Sequence, residues 1–128
     1  MFLKAIVALL VVNLAVSSAG LVGGPVDAKM DKESKKALKF AMTQYNKLNG
    51  DVFLCAVSKI IKLQKQVVAG IKYIFTVNVA RTTCRKGRDE KSCPIQKNPA
   101  LARVKQCRIA VWIKSWEKFI KVTENSCL

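Results

Sequence analysis

The segment Gln66-Val67-Val68-Ala69-Gly70 joins two strand-like runs, and its composition is unusual for such a junction. The run that follows, Ile71 to Val79, alternates strictly between apolar and polar faces and predicts a half-buried strand. Tight hairpin turns favour Asn-Gly, Asp-Gly or Gly-X and disfavour β-branched residues. The two valines therefore need another reason, and they predict an apolar projection held on a rigid sheet and aimed at another molecule's cleft.

Strand patterns continue on both sides of this junction. Val52 to Gln66 shifts toward a period of two, and a second hairpin follows near the C-terminus, where Cys107 to Lys114 runs up to a tip at Ser115-Trp116-Glu117 and Lys118 to Thr123 returns. Between the hairpins, Thr82 to Ala102 is rich in charge, Gly and Pro, which predicts a long loop.

One segment has the helical period instead. In Lys32 to Leu48 the apolar residues recur three and four positions apart, which places them on one face of a helix, and most of the lysines lie off that face. Asp31 is a candidate N-cap, and Asn49-Gly50 is a stop signal. One helix with several antiparallel strands predicts an α+β domain in which the helix lies on one face of the sheet.

The first nineteen residues have the pattern of a secretory signal peptide. A single basic residue, Lys4, precedes an apolar run, and Ser17-Ser18-Ala19 supplies the small residues of a cleavage site. The apolar run is too short for a transmembrane span, so an anchored protein is the weaker alternative. Residues 20–128 are then one secreted, extracellular domain.

Secretion makes the five cysteines candidates for disulfides. There is no Cys-x-x-Cys pair and no histidine, so the spacing of a zinc site is absent. Spacing alone does not choose among the pairings. Cys55 alternates with Val57 along a predicted strand, which indicates a buried, inert thiol, with an intermolecular disulfide as the alternative.

Catalysis has no candidate residues. Without histidine there is no Cys-His or Ser-His pair, and no glycine-rich phosphate loop is present. Asp89 and Glu90 are adjacent carboxylates in a charged loop, a pattern typical of solvated side chains. We expect neither an enzyme nor a bound metal or cofactor.

Three separated motifs resemble the cystatins, inhibitors of papain-like cysteine proteases. Gln66 to Gly70 matches the QxVxG first hairpin loop, Ser115-Trp116 lies where the second loop has Pro-Trp, and Leu21-Val22-Gly23-Gly24-Pro25 lies where the family has its N-terminal trunk. Their order and positions are those of a secreted family 2 cystatin. Taken singly, each motif has a plain alternative: a disordered terminus, inward-facing core valines, or a tryptophan that caps the sheet. Trp112, in mid-strand, is predicted to pack structurally.

The resemblance implies the rest of the architecture over residues 20–128. Cystatins have a five-stranded antiparallel sheet wrapped around one long α-helix, with the trunk and both hairpin tips aligned along one edge as a wedge. It also implies the disulfide pairing, which is Cys84 with Cys93 and Cys107 with Cys127.

The resemblance further implies where each motif contacts a protease. Leu21 and Val22 would occupy the non-primed substrate pockets, and Gly23 would let the chain turn away from the catalytic cysteine. Gln66, Val67, Val68, Ala69 and Gly70 would approach the centre of the cleft, and Trp116 the primed side. Ser115 replaces the family's proline, which predicts a softer second loop and weaker binding.

Charge supplies the competing hypothesis. Removing Lys4 with the leader leaves 22 basic against 8 acidic side chains, a net charge of +14. Such a field attracts anionic glycans, bacterial envelopes or acidic proteins, so a cationic host-defence or anionic-surface-binding protein is the alternative function. No nucleic-acid motif is present. We expect mainly a monomer, with a domain-swapped dimer as the alternative, because the first hairpin lacks favourable turn residues.

Overall fold

The computed structural model describes residues 23–88 and 92–128. The predicted leader, 1–19, and the trunk residues Leu21 and Val22 lie outside these ranges. The described elements are, in order, β1 (Val26–Asp27), α1 (Lys32–Leu48), β2 (Phe53–Val68), β3 (Gly70–Arg85), α2 (Pro99–Ala102), β4 (Lys105–Lys114), a 3-10 turn (Ser115–Glu117) and β5 (Phe119–Cys127).

The strands form one antiparallel sheet in chain order, β1-β2-β3-β4-β5. Helix α1 packs on one face of this sheet, mainly against β2 and β4. The predicted α+β class, with five antiparallel strands and one long helix, is confirmed.

Helix α1 begins and ends where the sequence predicts. The carboxylate of Asp31 accepts a hydrogen bond from the Ser34 amide (2.8 Å), and the Ser34 hydroxyl accepts one from the Asp31 amide (2.7 Å). The hydrogen bonds that Ser34 makes to the carboxylate, above all the one from its backbone amide, lower the pKa of Asp31. At the other end the Asn49 amide donates to the Tyr45 carbonyl, and Asn49 leaves the helical conformation. The helix is therefore fixed at both ends by local chemistry.

The core lies between α1 and the inner face of the sheet. Ala37, Leu38 and Ala41 on the helix are buried against it, and the alternating residues of β3 and β4 supply most of the rest, namely Tyr73, Phe75, Val77, Val79, Cys107, Ile109 and Val111. The buried Tyr73 hydroxyl donates to the Glu33 carboxylate at 2.7 Å, so its polar group is satisfied. This bond ties β3 to the first turn of the helix.

The predicted long loop is wrong at both of its ends. Strand β3 continues to Arg85, and Pro99–Ala102 forms a helical turn. The buried Thr82 hydroxyl donates to the Leu54 carbonyl of β2 (2.8 Å), and the connecting chain folds back so that the Gln96 amide donates to the Arg81 carbonyl (3.0 Å). These tertiary bonds extend the strand beyond its apolar alternation.

The structure contains the disulfides Cys84–Cys93 and Cys107–Cys127, the pairing that the resemblance implies. Cys55 is a free, buried cysteine, and its backbone groups are both bonded to the side chain of Asn46. Burial raises the pKa of the Cys55 thiol, which keeps it protonated and unreactive near neutral pH.

In the part of the chain that the structure describes, no helix is long and apolar enough to cross a membrane. Nor do the described cysteine and acidic residues form a group of three that would hold a metal ion.

Candidate functional site

Three chain segments converge at one end of the sheet. Strand β1 pairs with β2 through Val26 and Lys65, which leads the N-terminal segment along the edge of β2 toward the first hairpin. There the Gln66 side chain donates to the Gly23 carbonyl at 3.4 Å. Gly23 has a φ of +78°, and an added Cβ would meet no atom within 4 Å. A glycine is therefore favoured at Gly23 by its backbone conformation and not by crowding.

The first hairpin is tighter than the sequence predicts. Val67 pairs with Ile71 and Val68 with Gly70, so only Ala69 lies between the paired residues. The valines are consequently the last residues of a strand and not a loop. Val67 remains 71% exposed and Val68 37% exposed, which rules out a core role for Val67.

Gly70 places this hairpin against the next strand. Its φ is +95°, in the left-handed region, and a Cβ at this position would collide with the carbonyl oxygen of Ile113 on β4. Both the conformation and the close backbone approach require glycine. The apex of the first hairpin therefore lies directly beside the end of β4.

The second hairpin presents an exposed aromatic ring. Strand β4 ends at Lys114, the 3-10 turn Ser115–Glu117 follows, and Lys118 adopts a left-handed φ of 51° before β5 begins. Trp116 is 66% exposed, so it does not cap the sheet. The turn holds its tryptophan out into solvent next to the first hairpin.

A hydrogen bond joins the two hairpins. The indole N–H of Trp112 donates to the Ala69 carbonyl at the apex of the first hairpin, at 2.7 Å. The Trp112 ring also packs edge-to-face on Phe119, with centroids 5.3 Å apart. The Lys114 ammonium lies 4.6 Å from both ring centroids and pairs with Glu117 at 3.4 Å.

The sequence predicts packing for Trp112 but not this bond to the first hairpin. A signal was present, because Trp112 faces the polar side of β4, where a large aromatic ring has no core to fill. Its partner, however, is 43 residues away and depends on the register of three strands.

The arrangement is better suited to filling a cleft in another protein than to catalysis. Exposed apolar side chains at the hairpin tips, Val67 and Trp116, project from a braced sheet end. A rigid apolar tip can fill a complementary cleft with little loss of conformational freedom. Of the sequence-predicted site residues, the structure brings Gly23, Gln66–Gly70 and Ser115–Trp116 to this end.

Comparison with known proteins agrees with this geometry. Residues 23–126 match the cystatin domain family. The chain is 46% identical over 125 residues to a cystatin of Oncorhynchus keta, covering 97% of this chain and 96% of the relative. It is 33% identical over 133 residues to cystatin-C of Homo sapiens, covering 95% and 91% respectively.

Solved structures share the architecture. The crystal structure of dimeric human cystatin F superposes with a TM-score of 0.72 at 28% identity, covering 83% of this chain and 86% of that one. The structure of Al-CPI superposes with a TM-score of 0.70 at 27% identity, covering 83% and 100%. Sequence, fold and the three converging segments agree, and the chain belongs to the cystatin family.

Proposed function

We propose that this protein is a reversible, tight-binding inhibitor that occupies the active-site cleft of papain-like cysteine proteases of the cathepsin class. Cystatins are inhibitors of cysteine proteases and not enzymes, so the proposal concerns how this chain inhibits. The observation that supports it best is the pair of exposed tips, Val67 and Trp116, on two hairpins bonded to each other.

The proposed mechanism is occlusion without covalent chemistry. Val67 and Val68, with Gln66, would lie over the centre of the cleft, and Trp116 would fill the primed side. Leu21 and Val22 would lie in the non-primed pockets. Gly23, with its left-handed φ, would turn the chain away before a peptide bond reaches the catalytic cysteine. Substrate is then excluded although no acyl-enzyme forms.

The test of this mechanism is binding to papain whose catalytic cysteine has been replaced by alanine. Occlusion predicts that the inactive protease binds residues 20–128 about as tightly as active papain does, and that the inhibitor is recovered uncut from either complex. A requirement for the nucleophile, or cleavage near Gly23, would contradict the mechanism.

Trp112→Phe is expected to loosen the first hairpin. The change keeps a ring against Phe119 and Lys114 but leaves the Ala69 carbonyl without its donor. One lost hydrogen bond of about 1 kcal/mol corresponds to roughly fivefold weaker inhibition. Hydrogen exchange at the amides of Ala69 and Gly70 should accelerate. The control is Trp116→Phe, which should weaken inhibition without changing exchange there; unchanged exchange in Trp112→Phe would refute the bracing role.

Ser115→Pro is expected to tighten inhibition. Lys114 has an extended backbone (φ −122°, ψ 96°) and not the α conformation that a following proline disfavours, and Ser115 is the first residue of the 3-10 turn. Fixing the tip should improve binding by about 0.4 to 1 kcal/mol, which is roughly two- to fivefold in the inhibition constant. Ser115→Ala serves as the control for loss of the hydroxyl. A clear loss of inhibition in the proline variant would show that the softened-loop explanation is mistaken.

We further propose that the inhibitor acts outside the cell as a monomer. The support is the signal-peptide pattern of residues 1–19, and the two disulfides suit an oxidising compartment. A domain-swapped dimer would open the hairpin between β2 and β3. Because that hairpin carries Val67 and Val68, such a dimer is expected to lose inhibition of papain.

A further inference from the structure

Five lysines form a line along the exposed face of α1. The first four recur at spacings of three and four residues and the fifth follows two turns later, so all five fall on one side of the helix, opposite the buried Ala37 and Ala41. All five are exposed: Lys32, Lys35, Lys36, Lys39 and Lys47. We call them the lysine stripe.

The lysine stripe forms no salt bridge with the residues that the structure describes. None of the four salt bridges there includes a stripe lysine. Glu33, the acidic residue of the first helical turn, accepts a hydrogen bond from Tyr73 on the core side. Asp31 is bonded to Ser34 in the N-terminal cap. The nearby acids are therefore directed elsewhere.

This arrangement works against the helix that carries it. Like charges three and four positions apart repel and destabilise a helix, whereas acidic residues at alternate positions would have stabilised it. Elsewhere on the surface several cations do have acidic partners, as in Arg108 with Glu124 and Lys62 with Asp27. An exposed helix face that carries five lysines and forms no salt bridge suits an anionic partner better than it suits folding.

We propose that the lysine stripe binds a sulfated glycan chain. From Lys32 to Lys47 the line runs for about 22 Å, at about 1.5 Å per residue. A straight row of flexible ammonium groups matches a linear polymer that carries sulfates along its length. Since binding a polyanion releases condensed counterions, several such contacts add appreciable affinity.

A lipid surface is a poorer match. Interfacial helices insert an apolar face between lipids. In α1 that face is already buried against the sheet through residues such as Leu38 and Ala41. The stripe also lies apart from the hairpin tips except at Lys32 and Lys36, which line a shallow cavity with Ser115. A glycan held by Lys35, Lys39 and Lys47, which do not line that cavity, would therefore leave the tips free for a protease.

The experiment compares two triple variants that remove the same charge. The stripe variant is K35Q/K39Q/K47Q, and its control is K59Q/K97Q/K105Q, three exposed lysines outside the helix that form no salt bridge with the described residues. Both are titrated with a heparin oligosaccharide at physiological salt of about 0.15 M. The stripe variant is expected to bind heparin at least about tenfold more weakly, and the slope of its log binding constant against log salt concentration should be smaller by about two. The control should bind within about threefold of the parent.

Equal losses in the two triple variants would overturn the proposal, because bulk charge would then explain binding. It would also be overturned if the stripe variant lost affinity for phosphatidylserine vesicles but kept its affinity for heparin. Unfolding temperatures should be unchanged or higher in the stripe variant, since repulsion is relieved. Inhibition of papain should be the same in all three proteins, which separates this site from the hairpin tips.

Discussion

Replacing Gly70 with alanine is expected to destabilise the protein and to disable the first hairpin. The left-handed φ of +95° costs an alanine about 1–2 kcal/mol, and its Cβ would meet the carbonyl oxygen of Ile113, so β3 and β4 must also separate locally. We expect a total loss of about 2–4 kcal/mol in the free energy of unfolding. Displacement of Val68 and Ala69 should weaken papain inhibition by more than tenfold, about 1.4 kcal/mol. Denaturant unfolding and inhibition constants measure the two effects.

The matched control for this substitution is Gly50→Ala. At Gly50 an added Cβ meets no atom within 4 Å, and the backbone is not in the left-handed region. We expect a change in stability within about 0.5 kcal/mol and unchanged inhibition. If Gly70→Ala unfolded at the same denaturant concentration as Gly50→Ala, the close packing of the first hairpin on β4 would be disproved.

Trp116→Ala combined with removal of residues 20–23 is expected to cause the largest loss of inhibition with the least loss of stability. Trp116 is 66% exposed in the free protein, so its ring contributes little to folding. A tryptophan buried on binding is typical of the residues that dominate an interface, at about 2 kcal/mol or more, which is roughly 30-fold. The trunk deletion should weaken inhibition further and independently, because the two segments would contact opposite sides of the cleft.

Leu101→Ala is the control for this effect. Leu101 is also apolar and 52% exposed, but it lies on α2, away from the hairpin tips. The Leu101→Ala protein should have the same inhibition constant as the parent protein. All of these variants should unfold within a few degrees of the parent's unfolding temperature. Inhibition by the combined Trp116→Ala and trunk-deleted protein at parental strength would show that the proposed contacts are wrong.

Local chemistry made much of the fold predictable. Helix α1 follows from its apolar period, with Asp31 at its start and Asn49 at its end, and both bounds agree with the structure. The alternation of Ile71 to Val79 likewise gives the buried face of β3. The continuation of β3 to Arg85 was not predictable, because it depends on two bonds to distant residues: the Thr82 hydroxyl donates to the Leu54 carbonyl, and the Gln96 amide donates to the Arg81 carbonyl.

The candidate site likewise has features that the sequence predicts and features that it does not. The exposed tips at Val67 and Trp116 are visible in the sequence as apolar residues where turns favour other types. The bond from Trp112 to Ala69 is not visible, because it depends on how two hairpins lie side by side. The lysine stripe is intermediate: its spacing can be read from the sequence, but the absence of acidic partners requires the arrangement of Glu33 and Asp31 in three dimensions.

Titration of active papain with refolded residues 20–128 tests the central claim most directly. Filling of the active-site cleft predicts that activity falls in proportion to added inhibitor and reaches zero near one equivalent. The inhibitor should then be recovered uncut when the complex is dissociated. Papain that keeps its full activity in the presence of a saturating amount of correctly disulfide-bonded protein would contradict the claim.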